Sequence, residues 1–292
     1  MITIIHGSDL HFGKPHDPAA AETFMETIHD LSPDLLVLSG DFTQRAKIRE
    51  YEEARAWLDR LPDLPTVVTP GNHDVPLYRV WERLTRPFDN YRRWIHPELD
   101  VVTSIPGVTV VSLNSAAPRR AIVNGRIDSD QIEFARKAFG RADPQDLKVV
   151  VAHHHLAPAP DYEGDKPLPG ARRILDAFES MGVDMVMGGH LHRAYIGNSL
   201  DVYPGEDRSR GVVIVQSGTT TSRRGRARER AKTTFNLIRV GADRLEVVHY
   251  MHFVKARGFA PFSVHVFPRA PHLYLPDLAE AETSERLDGS SR

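Results

Sequence analysis

Asn72-His73-Asp74 places an amide, an imidazole and a carboxylate on three consecutive residues, just past the short apolar run Thr66-Val67-Val68. Pro70 and Gly71 end that run and turn the chain sharply. Groups of the same chemical kind recur after four other apolar runs. Asp9 and His11 follow residues 2–6, and Asp41 follows residues 35–38. His153-His154-His155 follow residues 147–152, and His190 and His192 follow residues 184–187. The chain has no cysteine, so any metal must be held by nitrogen and oxygen ligands. Mixed carboxylate and imidazole ligation suits Mn, Fe or Zn without singling one out. Seven such groups, counting one of the three adjacent histidines, exceed the three protein ligands of a single catalytic zinc. They suffice for two ions sharing a bridging carboxylate. Two ions roughly 3.5–4 Å apart can clamp a phosphoryl group, acidify a bridging water and stabilise the leaving oxygen. Taken singly, an Asp-x-His or a Gly-Asp is common and says little. What distinguishes this set is that each block falls at the end of a strand.

The elements that must position these groups read as alternating strands and helices. The run at 2–6 is a buried strand, and Asp17-Pro18 starts a helix carrying Ala21, Phe24, Met25 and Ile28. The strand at 35–38 is followed by a helix with Tyr51, Ala54, Trp57, Leu58 and Leu61 on its apolar face. This strand–helix–strand–helix–strand order is that of an α/β sheet with crossover helices. In such sheets ligands gather beyond the carboxyl ends of the strands, where all the candidate residues stand. Residues 77–98, rich in aromatics and arginine, read as an irregular helical insertion beside the site. Residues 101–105 and 108–113 form a β-pair around Pro106-Gly107. Asp128-Ser129 caps a helix with Ile132, Ala135 and Phe139, and Gly182 ends another over 174–181. Four runs in the last third (212–216, 233–240, 245–250 and 262–267) are expected to build a second, largely antiparallel sheet. The reading is one catalytic domain over 1–267 and a loosely ordered, acidic tail over 268–292.

Composition excludes several classes. The 292 residues are 41% hydrophobic and 26% charged, as in an ordinary globular protein with a sizeable core. A net charge of −2 gives no field that would draw the chain onto nucleic acid or an anionic membrane. No segment approaches ~20 consecutive apolar residues, and no basic segment precedes the first strand, so a cytoplasmic protein is expected. The basic run Arg223, Arg224, Arg226, Arg228, Arg230 and Lys232 reads as a solvated hairpin tip, the usual fate of such runs. The sharper alternative is that one or two of these arginines meet an anionic substrate. His6, inside the first strand, is expected to be a hydrogen-bonded core residue.

Asp9-Leu10-His11, Gly40-Asp41, Gly71-Asn72-His73-Asp74, a histidine after the strand at 147–152, and Gly189-His190-Leu191-His192 occur in that order. Together these blocks resemble the calcineurin-like metallophosphoesterases, over about residues 1–250. The resemblance implies a four-layer αββα sandwich of two mixed β-sheets flanked by helices. It implies that Asp9, His11 and His192 hold one metal, that Asp41 bridges, and that Asn72, His154 and His190 hold the second. His153 and His155 stay open as alternatives to His154, because Leu156 replaces the proline that commonly follows this ligand. His73 would steady the transition state or protonate the leaving oxygen, with Asp74 orienting its ring. The implied reaction is attack of a metal-bridging hydroxide on phosphorus. The implied cofactors are two divalent or trivalent ions, Mn, Fe or Zn. The substrate would be a small-molecule phosphodiester, with 3′,5′-cyclic nucleotides as the subclass. A homo-oligomer is compatible with this; a membrane partner is not expected. Phe42-Thr43-Gln44-Arg45 after the bridging Asp argues against the protein phosphatase branch. A phosphomonoesterase, a DNA nuclease and a non-catalytic scaffold of the same fold are the competing readings. The charge balance disfavours the nuclease, and the complete ligand set disfavours the scaffold.

Overall fold

Residues 1–119, 124–158, 166–204, 211–253 and 258–269 are described by the computed structural model. The first half begins with β1 (Ile2–Gly7), α1 (Pro18–Leu31), β2 (Leu35–Leu38), α2 (Ile48–Leu58) and β3 (Thr66–Val68). Asp17 caps α1 by accepting from the Ala20 nitrogen, with Pro18 at the first helical position, as its sequence requires. Two short helices, α3 (Val80–Thr85) and α4 (Asp89–Trp94), follow β3. The insertion expected at 77–98 is therefore helical but divided. Tyr91 is fully buried, whereas Tyr78 and Trp81 are exposed.

Next come β4 (Val101–Ile105), β5 (Val108–Ser112), α5 (Ser129–Phe139), β6 (Leu147–Val151), α6 (Ala171–Ser180) and β7 (Met185–Gly188). The chain then adds β8 (Tyr195–Asn198), β9 (Val213–Gln216), β10 (Thr234–Val240), β11 (Arg244–Phe253) and β12 (Gly258–Pro268). The first sheet runs β12-β11-β10-β1-β2-β3 and the second β4-β5-β6-β7-β9-β8. In the first, β1, β2 and β3 are parallel and β10 to β12 antiparallel. In the second, β5, β6, β7 and β9 are parallel, with β4 and β8 antiparallel at the edges.

Strand periodicity builds the layers. Ile4, Leu35 and Val37 of the first sheet meet Val108, Val149, Val151, Met185 and Val215 of the second in one core between the sheets. Their alternating neighbours Ile5, Leu36 and Leu38 face α1 and α2 with Phe24, Ile28 and Trp57. Val111, Val150, Val186 and Ile214 face α5 and α6 with Phe139, Leu175 and Phe178. The result is the four-layer αββα sandwich of two mixed sheets. Each fully buried Val, Ile or Leu contributes roughly 1.5–3 kcal/mol over an exposed one, so a one-residue slip in any strand would forfeit its whole inner set.

The C-terminal strands depart from the expected second antiparallel sheet. β10, β11 and β12 extend the first sheet from the free edge of β1, with Ile2 opposite Val240 and Ile5 opposite Leu237. β9 enters the second sheet beside β7. The physical reason is burial on both faces. Phe235 and Leu237 pack towards the helices while Ile238 and Val240 pack between the sheets, so β10 is an interior strand. The tail expected over 268–292 lies, from residue 270, outside the described residues; Arg269 donates to the carbonyls of Gly241 and Gln145. Among the described residues no helix is long and apolar enough to cross a membrane.

Candidate metal centre

Five parallel strands end at one place. The carboxyl ends of β1, β2 and β3 carry Asp9 and His11, Asp41, and Asn72 and His73; those of β6 and β7 carry His153 to His155, and His190 and His192. The loops are laced directly to one another. The Asp9 nitrogen donates to the Gly40 carbonyl, the His11 nitrogen to that of Asp41, and the Gly189 nitrogen to that of His153. Bonds also cross between the sheets: the His190 nitrogen donates to Asp9 Oδ2 (3.0 Å) and His153 Nδ1 to the Ser39 carbonyl (2.8 Å). Gly189 permits this approach, because a Cβ there would overlap Ser8 Oγ and Asp9 Oδ2.

Asp9, His11, Asp41 and His192 are buried and present ligand atoms within 4.8 Å of one another. Asp9 Oδ1 lies 3.1 Å from His192 Nε2 and 3.5 Å from His11 Nε2, and the two imidazole nitrogens are 3.2 Å apart. A second group adjoins. His153 Nε2 is 3.3 Å and His190 Nδ1 3.0 Å from Asn72 Oδ1. Asp41 faces both groups, with Oδ2 3.7 Å from His11 Nε2 and 3.4 Å from His153 Nε2. Its Oδ1 accepts from the His73 backbone nitrogen at 2.8 Å.

Two observations fit this arrangement to metal ions. Asp9 Oδ1 and Asp41 Oδ2 are buried without a hydrogen-bond partner among the described residues, which is costly unless a cation compensates. Asp9, His11, Asp41, His190 and His192 also all have left-handed backbone (φ 50–72°), a region that non-glycine residues visit rarely. Such positions cost roughly 1–3 kcal/mol each and persist where surrounding structure over-determines them. Burial pushes His11 down to about 4 and His190 down to about 3, leaving neutral rings suited to ligation. Burial would raise Asp9, but the imidazoles of His11 and His192 set against its carboxylate hold it well below the usual carboxylate range. At His153 burial opposes the charged ring, yet Asp41 overrides it and raises the group to about 9. A positive charge is thus favoured between His153 and Asp41.

The three adjacent histidines have separate surroundings. His153 is the one aimed at Asp41 and Asn72. His154, the residue expected from alignment on the strand, places Nδ1 2.8 Å from Ser115 Oγ and leaves Nε2 buried without a hydrogen-bond partner among the described residues; its ring packs 4.6 Å from that of His190. His155 also stacks on His190, at 5.8 Å between ring centroids.

His73 stands beside the first group, its ring 4.9 Å from that of His11. A carbonyl can only accept, so the 2.7 Å contact to Gln44 puts a proton on His73 Nδ1 and leaves Nε2 facing Arg224 Nη1 at 3.1 Å. Asp74 does not touch this ring. It accepts from the nitrogens of Gly71, Phe42 and Thr43 and from Thr43 Oγ1, clamping the loops after β2 and β3 together. Gln44 therefore does the orienting expected of Asp74. Gln44, Ser39 and Ser115, whose side chains or carbonyls fix the histidine rings, carry no signal of their own in the sequence. His6 is buried with Nε2 2.9 Å from Ser39 Oγ, a core residue as expected.

Comparison with known proteins gives a consistent picture. Residues 2–194 match the model of the family described as calcineurin-like phosphoesterase. A probable cyclic nucleotide phosphodiesterase of Synechococcus is 31% identical over 193 residues, 64% of this chain and 69% of that protein. A probable glycerophosphodiester phosphodiesterase of Arcobacter nitrofigilis is 27% identical over 125 residues, 42% of each chain. Among solved structures, a purple acid phosphatase from yellow lupin seeds superposes with a TM-score of 0.68 at 16% identity, covering 92% of this chain and 54% of that one. That last likeness is one of fold.

Proposed function

This chain belongs to the calcineurin-like phosphoesterase family, hydrolases acting on phosphoester bonds, and we propose that it is a two-metal phosphodiesterase. The observation that carries this reading is the Asp41 carboxylate, whose Oδ2 faces His11 at 3.7 Å and His153 at 3.4 Å. Asp9, His11 and His192 with Asp41 would hold one ion; Asn72, His153 and His190 with Asp41 would hold the other. The donor set suits Mn, Fe or Zn. When bound, the ions supply Lewis acidity and an activated water for in-line attack at phosphorus.

The remaining work falls to the chain's own groups. Gln44 holds His73 in one tautomer, and His73 Nε2 is turned to a guanidinium that can only donate. That pairing opposes a proton on Nε2, so we assign His73 to charge stabilisation through Arg224 rather than to proton donation. Ser39 fixes His153 through Nδ1, leaving Nε2 for ligation. The substrate class is a small phosphodiester; the name of the Synechococcus relative favours cyclic nucleotides, and we take the 3′,5′ subclass as the first to try.

The test is hydrolysis of bis-p-nitrophenyl phosphate with added Mn²⁺, followed by cyclic nucleotides and glycerophosphodiesters. Asp41→Ala should reduce the rate by more than the ~100-fold seen when groups behind metal ligands are lost, and chelation should abolish activity reversibly. Full activity in Asp41→Ala would sink the mechanism.

A further inference from the structure

We propose that Arg224 binds the phosphoryl group of the substrate, presenting its Nε–H and Nη2–H edge to two non-bridging oxygens while Gln44 and His73 hold its other amino group. The inference deepens the phosphoesterase reading and rests on it. Arg224 Nη1 contacts Gln44 Oε1 at 3.2 Å and His73 Nε2 at 3.1 Å. Among the described residues, Nε and Nη2 make no hydrogen bond. These are the two nitrogens whose N–H groups point the same way and match a pair of phosphate oxygens. The side chain is half-buried, and burial disfavours its charge; the nearby carboxylates of Asp41 and Asp9 favour it. A guanidinium so placed gains by meeting an anion.

The backbone beneath Arg224 is not the solvated hairpin tip that a run of arginines suggests. Thr219, Thr220, Thr221 and Ser222 are fully buried. The Thr220 nitrogen donates to the Ser8 carbonyl, Thr220 Oγ1 accepts from the Ser8 nitrogen, and Thr221 Oγ1 donates to the Leu10 carbonyl. The loop bearing Arg224 is therefore fastened to the one bearing Asp9 and His11. Arg223, one residue earlier, points the other way: its side chain is mostly exposed and pairs with Asp17 at 2.8 Å. Of two adjacent arginines, one serves the surface and one the centre.

The experiment compares Arg224→Ala, Arg224→Lys and Arg223→Ala in the metal-loaded protein. Two constants are read: KM for bis-p-nitrophenyl phosphate and the calorimetric affinity for inorganic phosphate. Arg224→Ala should weaken both by about tenfold or more, the loss expected of a charge-assisted hydrogen bond. Arg224→Lys keeps the charge without the fork and should fall between; it also serves if the alanine variant does not fold. Arg223→Ala should match wild type. A drop in kcat with KM and phosphate affinity unchanged would overturn the proposal, because Arg224 would then only position His73. Phosphate affinity is read without turnover. A wild type that binds phosphate through Arg224 but cleaves no diester would sink the proposed function and uphold this inference.

Discussion

His153 and His154 show how much a single peptide step decides at this centre. One imidazole has its Nδ1 on the Ser39 carbonyl and its Nε2 between Asp41 and Asn72. The next is tied at Nδ1 to Ser115. Replacing His153 by alanine should therefore remove roughly half of the bound metal and lower activity more than ~100-fold. Replacing His154 should leave the metal content intact while costing about 2–4 kcal/mol of stability through the cavity it opens. Elemental analysis with a urea titration separates the two, and equal metal content in both variants would refute the assignment. The choice between these residues was hard to make from sequence because all three histidines follow the same strand. Only the neighbours contributed by the loops after β2, β3 and β5 tell them apart. Arg224 was hidden for a similar reason, as one of six basic residues in ten positions.

At the scale of an element, the turn after β3 depends on what it lacks. A Cβ on Gly71 would overlap Asp41 Oδ1 and lie 2.5 Å from the Asp41 backbone nitrogen, so the crowding could not be relieved by a rotamer change. Gly71→Ala should cost about 1–3 kcal/mol, as overpacking does, and should displace Asp41 from its place between the two ligand groups. Equilibrium dialysis should then show weakened metal binding; wild-type affinity would contradict the account. Most elements were legible because apolar runs of period two or 3.6 ended in Gly, Pro or Asp. Two features were not. β8, Tyr195-Ile196-Gly197-Asn198, offers no apolar run because Gly197 and Asn198 interrupt it. The pairing of β10 with β1 joins segments far apart in the chain, and no local signal states which edge a strand will choose.

At the scale of the whole molecule, the C-terminal strands bring a buried polar cluster with them. His249 on β11 is fully buried, with Nδ1 2.9 Å from Asn236 Oδ1 and Nε2 3.6 Å from Glu229. Burial first, and then the charges of Arg228 and His265, push it down to about 3. A folded value below the unfolded value near 6.5 means stability that is complete above pH 6.5 and lost as pH falls towards 3. At pH 5 the loss from this residue is about 2 kcal/mol. His249→Gln should lose less stability than wild type between pH 7.5 and 5, read as the shift in urea midpoint; identical shifts would show that His249 does not contribute. The place of β10 beside β1 has a further consequence, one of timing. The partner of Ile2 is Val240, and at roughly 5–20 residues per second a ribosome needs about ten to fifty seconds to make the chain between them. Throughout that interval β1 has an open edge, the kind of surface on which strands of other chains can nucleate. Asp9 and His11, at the end of the same strand, are made well before His192, so the full set of candidate ligands and the strand that closes the sheet edge both become available only late in synthesis.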